Sequence, residues 1–538
     1  MSNLHRQASR RAVIAMTATI FLVWAGAATA QTHEEVLGPW PQSPVKIFYS
    51  DNAAHVAMIV PDTNRQILQL DGQGNLGVTA IDPASFHFSP DGTRAAYISI
   101  EGQRHRLVVD DKAGPLYDDV RHPLFSPDSR HIAYCAIQNK QSFVMLDGKP
   151  QDSYDQIDAE SMQFGSDSVH LAYIARNGPG WVGVCDNQPG PQFDDYGKSM
   201  LQFSPDGEHL AYAGERDNLW TVLLDGKFSS LHSQIAAGSL RFSADSKHLH
   251  YIAQDGNRFV RILDDQPSPA FDQIYGPSLL FSPDSHHDSF AAVTGDHAVE
   301  VLDNKPGDPV DDVAPALCRF SPDSKHLAYV AKTANGLVVV RDAVAGAPLD
   351  DVGDGSVLFS PDSAHLAYFG FTGGKWHIVR DGVAGPPFDA ISQGLLIYSP
   401  DSQHLAYGAR VGQSWVMVLD QQVGQSVDGI VRDSTRFSPD SKRFVYEGKV
   451  LDHGIVICDG QPSIPYDGLG LAQFSADSQH VFYRARTNLK NFIVLDGDHM
   501  ADYDAIADNG PKLLPDGSLV FIAQRGKNIV RVTAGLGG

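Results

Sequence analysis

A tetrapeptide that recurs every 39 residues constrains the fold of this chain more than any other feature. The run Phe-Ser-Pro-Asp, or a close variant of it, begins at Phe88, Phe125, Phe164, Phe203, Phe242, Phe281, Phe320, Phe359, Tyr398, Phe437 and Phe474. Degenerate copies at Phe48 and Leu513 bring the number of units to thirteen. A repeat of this length indicates that each unit is one supersecondary module, whose apolar faces are buried only when neighbouring units stack on it.

Each unit has the pattern of four short β-strands joined by turns. Around Phe203, β-branched and aromatic runs are separated by a Pro-Asp-Gly turn after Ser204 and by an Asp-Gly hairpin at Asp225. Pro presets φ and Gly tolerates a positive φ, so both sequences favour tight turns. No segment after residue 30 has a sustained 3.6-residue apolar period, which predicts that helix is nearly absent. Four antiparallel strands in about forty residues are typical of a β-propeller blade.

The predicted fold class is therefore all-β, as tandem β-propellers of four-stranded blades with about thirteen repeats of 39 residues. Single propellers usually close with about four to eight blades, so thirteen blades predict two rings. We place a first propeller of about six blades in residues 31–275 and a second of about seven blades in residues 276–538; seven followed by six fits nearly as well. The last unit has only three strands, and residues 36–42 are predicted to supply its fourth strand and close a ring. A β-solenoid is the alternative, but its coils usually have no paired hairpin turns.

Residues 1–30 have the composition of a secretory signal peptide. Three arginines precede an apolar run over residues 12–25, and an Ala-Thr-Ala cleavage site ends at Ala30. An uncleaved amino-terminal anchor is the alternative. We therefore expect a periplasmic or secreted protein that has no transmembrane segment after signal cleavage.

The charge of the chain argues against one class of partner. With 41 basic and 64 acidic residues, the net charge is −23, which is unfavourable for binding nucleic acid. Most of the acids recur at fixed repeat positions and are interpreted as turn residues. Four cysteines are few for a secreted protein that depends on disulfides, so they are interpreted as small buried apolar residues.

Histidine and aspartate recur with the same period. A histidine falls three residues after the turn aspartate at His131, His170, His209, His248, His287, His326, His365, His404 and His480. Arg94 and Arg443 take this position in two copies, and arginine does not ligate metal, so we interpret these side chains as donors to a turn carboxylate and predict no metal ligands. An aspartate also recurs after an aromatic residue. Because carboxylate oxygens are ligands for calcium, calcium is the one cofactor left open. Because no calcium-loop spacing is present, we predict no cofactor.

The loops divide between the two faces of the predicted ring. The Ser-Pro-Asp turns and the Asp-Gly hairpins join strands at one end of a blade and scarcely vary between copies. Loops at the opposite end vary freely and are the expected place for recognition. Five residues before the hairpin aspartate, several copies place a large ring near this variable face: Trp181, Trp220, Phe259, Trp376 and Trp415. These five residues are the candidate ligand-binding residues, and packing between blades is the alternative role for them.

The run Phe-Ser-Pro-Asp-Ser/Gly followed by Leu-Ala-Tyr resembles the WD40-like repeat of the carboxy-terminal propeller of the TolB family. It begins at Phe203, Phe320 and Phe359, among other positions, and the resemblance covers almost the whole chain after residue 30. It implies a propeller fold and is poorly specific for function.

Function is less constrained than fold. No Gly-x-Ser-x-Gly elbow, His-Glu-x-x-His helix or phosphate-binding Gly-rich loop is present, so we predict that the chain is not an enzyme. The predicted function is that of an exported, non-catalytic binding scaffold that recognises a protein, peptide or glycan through the variable loops. The alternative is a propeller-type hydrolase or lactonase with a metal or an acid pair in a central channel.

Overall fold

The thirteen repeats fold into thirteen small antiparallel sheets, which form the blades of one β-propeller ring. The structure, a computed structural model, describes residues 32–40, 46–74 and 76–536; the predicted signal peptide lies outside them. In blades 1 to 12 the strands lie side by side in chain order, and in seven of the thirteen blades the first strand is in two pieces. Apart from two 3-10 turns, Pro83–Ser85 and Gly276–Ser278, the described residues contain no helix, as predicted. None of them forms a helix that could span a bilayer.

The strand bounds follow the 39-residue period. Blades 1 to 3 contain Ile47–Tyr49, Val56–Asp62, Arg65–Leu70 and Gly77–Val78; Ala80–Ile81, His87–Phe88, Ala95–Glu101, Arg104–Val109 and Lys112–Ala113; Asp119–Phe125, Ile132–Gln138, Gln141–Leu146 and Lys149–Tyr154. Blades 4 to 6 contain Gln156–Phe164, Leu171–Asn177, Gly180–Cys185 and Gln188–Phe193; Asp195–Phe203, Leu210–Arg216, Leu219–Leu224 and Lys227–Phe228; Gln234–Ile235, Arg241–Phe242, Leu249–Asp255, Arg258–Leu263 and Gln266–Pro267.

The remaining blades repeat this pattern. Blades 7 to 9 contain Gln273–Ile274, Leu280–Phe281, Asp288–Thr294, His297–Leu302 and Lys305–Pro306; Asp312–Phe320, Leu327–Thr333, Gly336–Arg341 and Val344–Ala345; Asp351–Val352, Leu358–Phe359, Leu366–Thr372, Lys375–Arg380 and Val383–Ala384. Blades 10 to 13 contain Ala390–Tyr398, Leu405–Val411, Ser414–Leu419 and Gln422–Val427; Gly429–Ile430, Arg436–Phe437, Phe444–Val450, His453–Cys458 and Gln461–Pro462; Gly468–Leu469, Gln473–Phe474, Val481–Thr487, Lys490–Leu495 and Asp498–His499; Ala505–Ile506, Lys512–Leu513, Leu519–Arg525 and Asn528–Ala534.

The second strand of each blade is the most buried element. In Leu327–Thr333 the first five residues are all buried, so both faces of the strand are covered. A sheet between two neighbours has no solvent face, and its strands therefore have continuous apolar runs instead of alternating ones. This is why Leu-Ala-Tyr recurs in the sequence.

Every blade packs on the next one in the chain, and the circuit is closed. The expected division into two rings near residue 276 is wrong: Ile252 and Phe271 of blade 6 lie in one apolar cluster with Phe290 of blade 7. Another cluster joins Ile522 of blade 13 to Met58 of blade 1. The expectation came from the usual size of propellers, but each interface here is built from the same repeat positions, and none of them marks an end.

The N-terminal strand, Thr32–Pro39, closes the ring as predicted. It pairs antiparallel with Asn528–Ala534, from Thr32 opposite Ala534 to Pro39 opposite Asn528, and completes blade 13. Its side chains add ion pairs at 2.8 Å, Glu34 with Arg525 and Glu35 with Arg531. The strand begins earlier and ends earlier than residues 36–42, but its role is the one that the missing fourth strand indicated.

Candidate functional site

The recurring histidines hold together the two turns at one end of each blade. In blade 3, the Nδ1 atom of His131 lies 2.7 Å from Oδ2 of Asp147, and Oδ1 of the same carboxylate accepts the N–H of Ile132 at 3.0 Å. The same histidine–aspartate contact, 2.5–2.8 Å long, is made by His131, His170, His209, His248, His287, His326, His365, His404 and His480. Arg94 and Arg443 bind the equivalent aspartates at 2.8 and 3.0 Å. The predicted role of these residues as donors to a turn carboxylate is confirmed.

The Ser-Pro-Asp-Ser turns also connect neighbouring blades. The N–H of Asp128 in blade 3 donates to Oγ of Ser168 in blade 4 at 2.9 Å. Equivalent bonds, at 2.9–3.1 Å, are donated by Asp91, Asp206, Asp245, Asp284, Asp323, Asp362, Asp401 and Asp440 to the serine of the following turn. This face is therefore a belt of structural hydrogen bonds, which accounts for the small variation in its loops.

The aspartates that follow an aromatic residue stabilise the hairpins at the opposite end. Oδ2 of Asp155 accepts the N–H of Gly178 at 2.8 Å, and Oδ2 of Asp389 accepts that of Gly412 at 2.6 Å. The same bond, at 2.7–2.9 Å, is made by Asp118, Asp194, Asp272, Asp467 and Asp504. These carboxylates are one to a blade and each has its own backbone donor, so the hairpin bond explains their period without calcium.

One set of potential metal ligands lies within the described residues. Ligand atoms of His170, Cys185 and Asp186 lie within 4.8 Å of one another on the face of the Ser-Pro-Asp turns. The histidine–aspartate contact is the one found in the other blades, and its hydrogen bond to Asp186 raises the pKa of His170. Burial raises the pKa of the Cys185 thiol to about 12, so the thiol is protonated at neutral pH. All four cysteines of the chain are free.

The five aromatic candidates share one environment. Trp181, Trp220, Phe259, Trp376 and Trp415 are all half-buried. Each ring packs against the apolar cluster between its own blade and the next. They therefore contribute to packing between blades, and each also keeps an exposed edge.

Trp181 differs from the other four in what surrounds it. Its ring centroid lies 4.6 Å from that of Tyr196 in blade 5, and the guanidinium carbon of Arg176 lies 5.9 Å from the indole centroid. The Tyr196 hydroxyl donates to Oδ2 of Asp158 at 2.6 Å. Burial and this carboxylate raise the pKa of Tyr196 well above its usual value, so the phenol remains a donor.

Trp181, Tyr196 and Asp158 line a cavity of about 570 Å³ between the first strands of blades 4 and 5, which we call the Trp181 pocket. Its polar wall includes Asp158, Glu160, Asp195 and Lys198, of which Glu160, Asp195 and Lys198 are exposed. An indole face beside several carboxylates provides a stacking surface together with directional hydrogen-bond acceptors. The sequence indicated Trp181, but the polar residues come from first strands that no repeated motif marks.

A second departure from the repeat lies in blades 6, 7 and 8, where buried polar side chains replace apolar ones. We call this set the polar seam: His250, Arg261, Asp288, Ser289, Glu300 and Cys318. The repeat position of Arg261 and Glu300 is apolar in nine other blades: Leu68, Leu107, Val144, Val222, Val339, Ile378, Met417, Val456 and Ile493. Asp288 replaces a residue that is apolar in all twelve other blades. Aligning the thirteen copies column by column would have revealed these positions from the sequence.

The blade 6 side of the polar seam contains a buried ion pair. Nε of Arg261 lies 2.8 Å from Oδ2 of Asp288, and the Arg261 guanidinium also donates to Oδ1 of Asn304 at 2.8 Å. The ring of His250 stacks on Phe281 at 4.0 Å, and burial beside Arg261 lowers the pKa of this histidine to about 3. Burial raises the pKa of Asp288 to about 6, although Arg261 opposes the shift. This ion pair joins blade 6 to blade 7.

Comparisons with known proteins give only distant likenesses. No protein-family model matches the chain, and no curated protein matches it. Among solved structures, a eukaryotic initiation factor is 14% identical over 57% of this chain and 88% of its own, with a TM-score of 0.30. Hsv2 of Kluyveromyces lactis is 11% identical over 53% of this chain and 97% of its own, with a TM-score of 0.26. TolB of Acinetobacter baumannii is 14% identical over 55% of this chain and 78% of its own, with a TM-score of 0.21.

Proposed function

We propose that this protein is an exported, non-catalytic binding scaffold that recognises a glycan at the Trp181 pocket. The observation that carries the proposal is the pairing of the Trp181 and Tyr196 rings with Asp158 and Glu160 around one open cavity. A sugar ring has an apolar face that stacks on an aromatic ring and hydroxyls that donate to carboxylates. The composition of residues 1–30 supports export.

The position of the pocket also supports recognition. Arg176 and Trp181 flank the hairpin of blade 4 at the end that carries the variable loops, while the histidine–aspartate contacts occupy the other end. Ligand contacts at this end leave the hydrogen-bonded belt undisturbed. A rigid repetitive scaffold with variable loops on one face is a common arrangement for binding.

Binding of the purified protein to an array of envelope glycans identifies the ligand, and calorimetry on variants tests the site. Trp181→Ala is expected to weaken binding at least tenfold, and Glu160→Gln at least threefold. Glu160 is exposed, so its loss leaves the fold intact and separates recognition from packing. Trp415→Ala changes the same repeat position in blade 10 and is the control, with binding retained within twofold.

Two results would contradict the proposal. One is that no glycan of the array binds; the other is that the Trp181 and Trp415 variants lose binding equally, which indicates a common packing role. Metal analysis of the same preparation addresses the hydrolase alternative, since a stoichiometric bound ion would favour it.

A further inference from the structure

The blade 7 side of the polar seam contains a buried carboxylate that is only half satisfied. Glu300 is 4% exposed. Its Oε1 accepts hydrogen bonds from the Ser289 hydroxyl and, at 3.4 Å, from the Cys318 thiol of blade 8. Within the described part of the chain, its Oε2 has no hydrogen-bond partner. Glu300 thus differs from Asp288, whose charge is paired with Arg261.

The repeat itself shows that a carboxylate is not needed here for folding. Nine blades fill this position with an aliphatic or methionine side chain, and the neighbouring interfaces close around it. A buried polar group without a partner is destabilising, and apolar replacements of buried charges are often neutral or stabilising. The described residues therefore provide no hydrogen-bond partner for the second oxygen of Glu300.

A cavity of about 590 Å³ lies beside this carboxylate, between blades 7 and 8. Its apolar wall contains Phe320, Leu327 and Tyr329, together with Leu302. The lysines of the lining, Lys305 and Lys325, are exposed at the rim. Two exposed aspartates of the lining, Asp303 and Asp342, are paired with His287 and His326. Glu300 is the one buried acid among the lining residues.

We propose that this cavity binds a small organic amine, whose ammonium group donates to the Glu300 carboxylate and whose apolar body lies against Phe320 and Leu327. An ammonium group is compact and carries three hydrogen-bond donors. Its positive charge compensates the negative charge of the buried Glu300 carboxylate, which water no longer solvates. A neutral alcohol supplies one donor and no charge, and an anion is repelled. The site is separate from the Trp181 pocket and does not depend on the proposed glycan function.

Calorimetry with hexylamine and hexan-1-ol at pH 8 tests the chemistry of the ligand. The two probes have the same apolar chain, so they differ only in the group that meets Glu300. Hexylamine is expected to bind at least tenfold more tightly than hexan-1-ol. Equal affinities, or no binding of hexylamine, would overturn the proposal.

Variants at the carboxylate test its position. Glu300→Val restores the side chain of blades 3, 5, 8 and 11 and is expected to raise the melting temperature while weakening hexylamine binding at least tenfold. Glu300→Gln keeps the shape of the side chain and removes its charge. It is expected to cause the same loss of affinity, and it tests the site if the valine variant does not fold. Glu447→Gln changes another buried glutamate, in blade 11, and retains affinity within twofold. Hexylamine binding that survives both Glu300 variants, or that is lost equally in the Glu447 variant, contradicts the assigned site.

Discussion

The last residue of the Ser-Pro-Asp-Ser turn explains why serine recurs where glycine would be easier to accommodate. Ser129, Ser324 and their equivalents have φ near +65°, in the left-handed region that favours glycine. Gly92, Gly207 and Gly517 take this position in three copies. Serine is placed there because its Oγ accepts the N–H of an aspartate in the preceding blade. The backbone strain at this residue is therefore compensated by a bond between blades.

Glu447 gives the stability of the protein a pH dependence that can be isolated. Its Oε1 accepts the N–H of Ala472 at 2.8 Å, and burial raises its pKa to about 7, although Arg436 opposes the shift. A carboxyl with a raised pKa in the folded state destabilises the fold once it ionises. The cost is therefore absent below pH 4.5 and grows until pH rises past 7.

Glu447→Gln is expected to stabilise the protein at pH 8 by on the order of 3 kcal/mol and to have little effect at pH 4.5. Gln retains the acceptor for Ala472 and has no charge to desolvate. Denaturant unfolding of both proteins at the two pH values measures the difference. A stabilisation that is the same at both values would contradict the assignment to ionisation.

At this scale the sequence predicts what the copies share and misses what a single copy does differently. The histidine period was enough to predict a donor to a turn carboxylate, because histidine and aspartate recur together in most copies. Glu300 and Asp288 belong to no repeated motif. Their roles depend on burial by the next blade, whose residues lie about 39 positions further along the chain. The acceptor role of Ser168 depends on the same contact.

Among the elements, the N-terminal strand has the largest influence on closure. It covers the edge of Asn528–Ala534 and places Leu37 in the cluster between blades 13 and 1. Without it, this edge would present unpaired backbone groups to solvent. The missing fourth strand of the last repeat was sufficient to predict this pairing, since every other repeat has four.

Deletion of residues 31–44 is expected to destabilise the protein by on the order of 4 kcal/mol, through lost strand pairing and burial of apolar surface. Thermal unfolding followed by circular dichroism measures the effect. Glu35→Ala is the control: it removes one exposed ion pair and costs at most about 1 kcal/mol. An unchanged melting temperature in the deletion variant would show that the strand does not close the ring.

For the whole molecule, the number of repeats sets the size of the ring. Sheets that pack face to face lie about 10 Å apart, so thirteen blades have a mean circumference of about 130 Å and a mean diameter of about 40 Å. The rotation between neighbouring blades is about 28°, against about 51° in a seven-bladed ring. The sequence predicts the number of blades but not this angle, which depends on how the side chains of two blades interdigitate. For that reason the division at residue 276 was wrong.

Deletion of residues 359–397 removes one repeat and joins Leu358 to Tyr398, which keeps the phase of the strands. We expect a folded ring of twelve blades whose mean diameter is smaller by roughly one thirteenth, because each interface is built from the same positions. Small-angle X-ray scattering of the two proteins measures the change. Scattering from an opened, extended particle would show that the interfaces fix the angle between blades and do not tolerate a smaller ring.

The pairing of the first strand with the last also sets an order of events during synthesis. Blades 1 to 12 are each made from one contiguous stretch of chain, whereas blade 13 combines residues 505–534 with Thr32–Pro39. The N-terminal strand leaves the ribosome before blades 1 to 12, and its partner leaves after them. A product that terminates early therefore keeps an unpaired strand at one end and an uncovered blade at the other, and such strand edges are templates for aggregation.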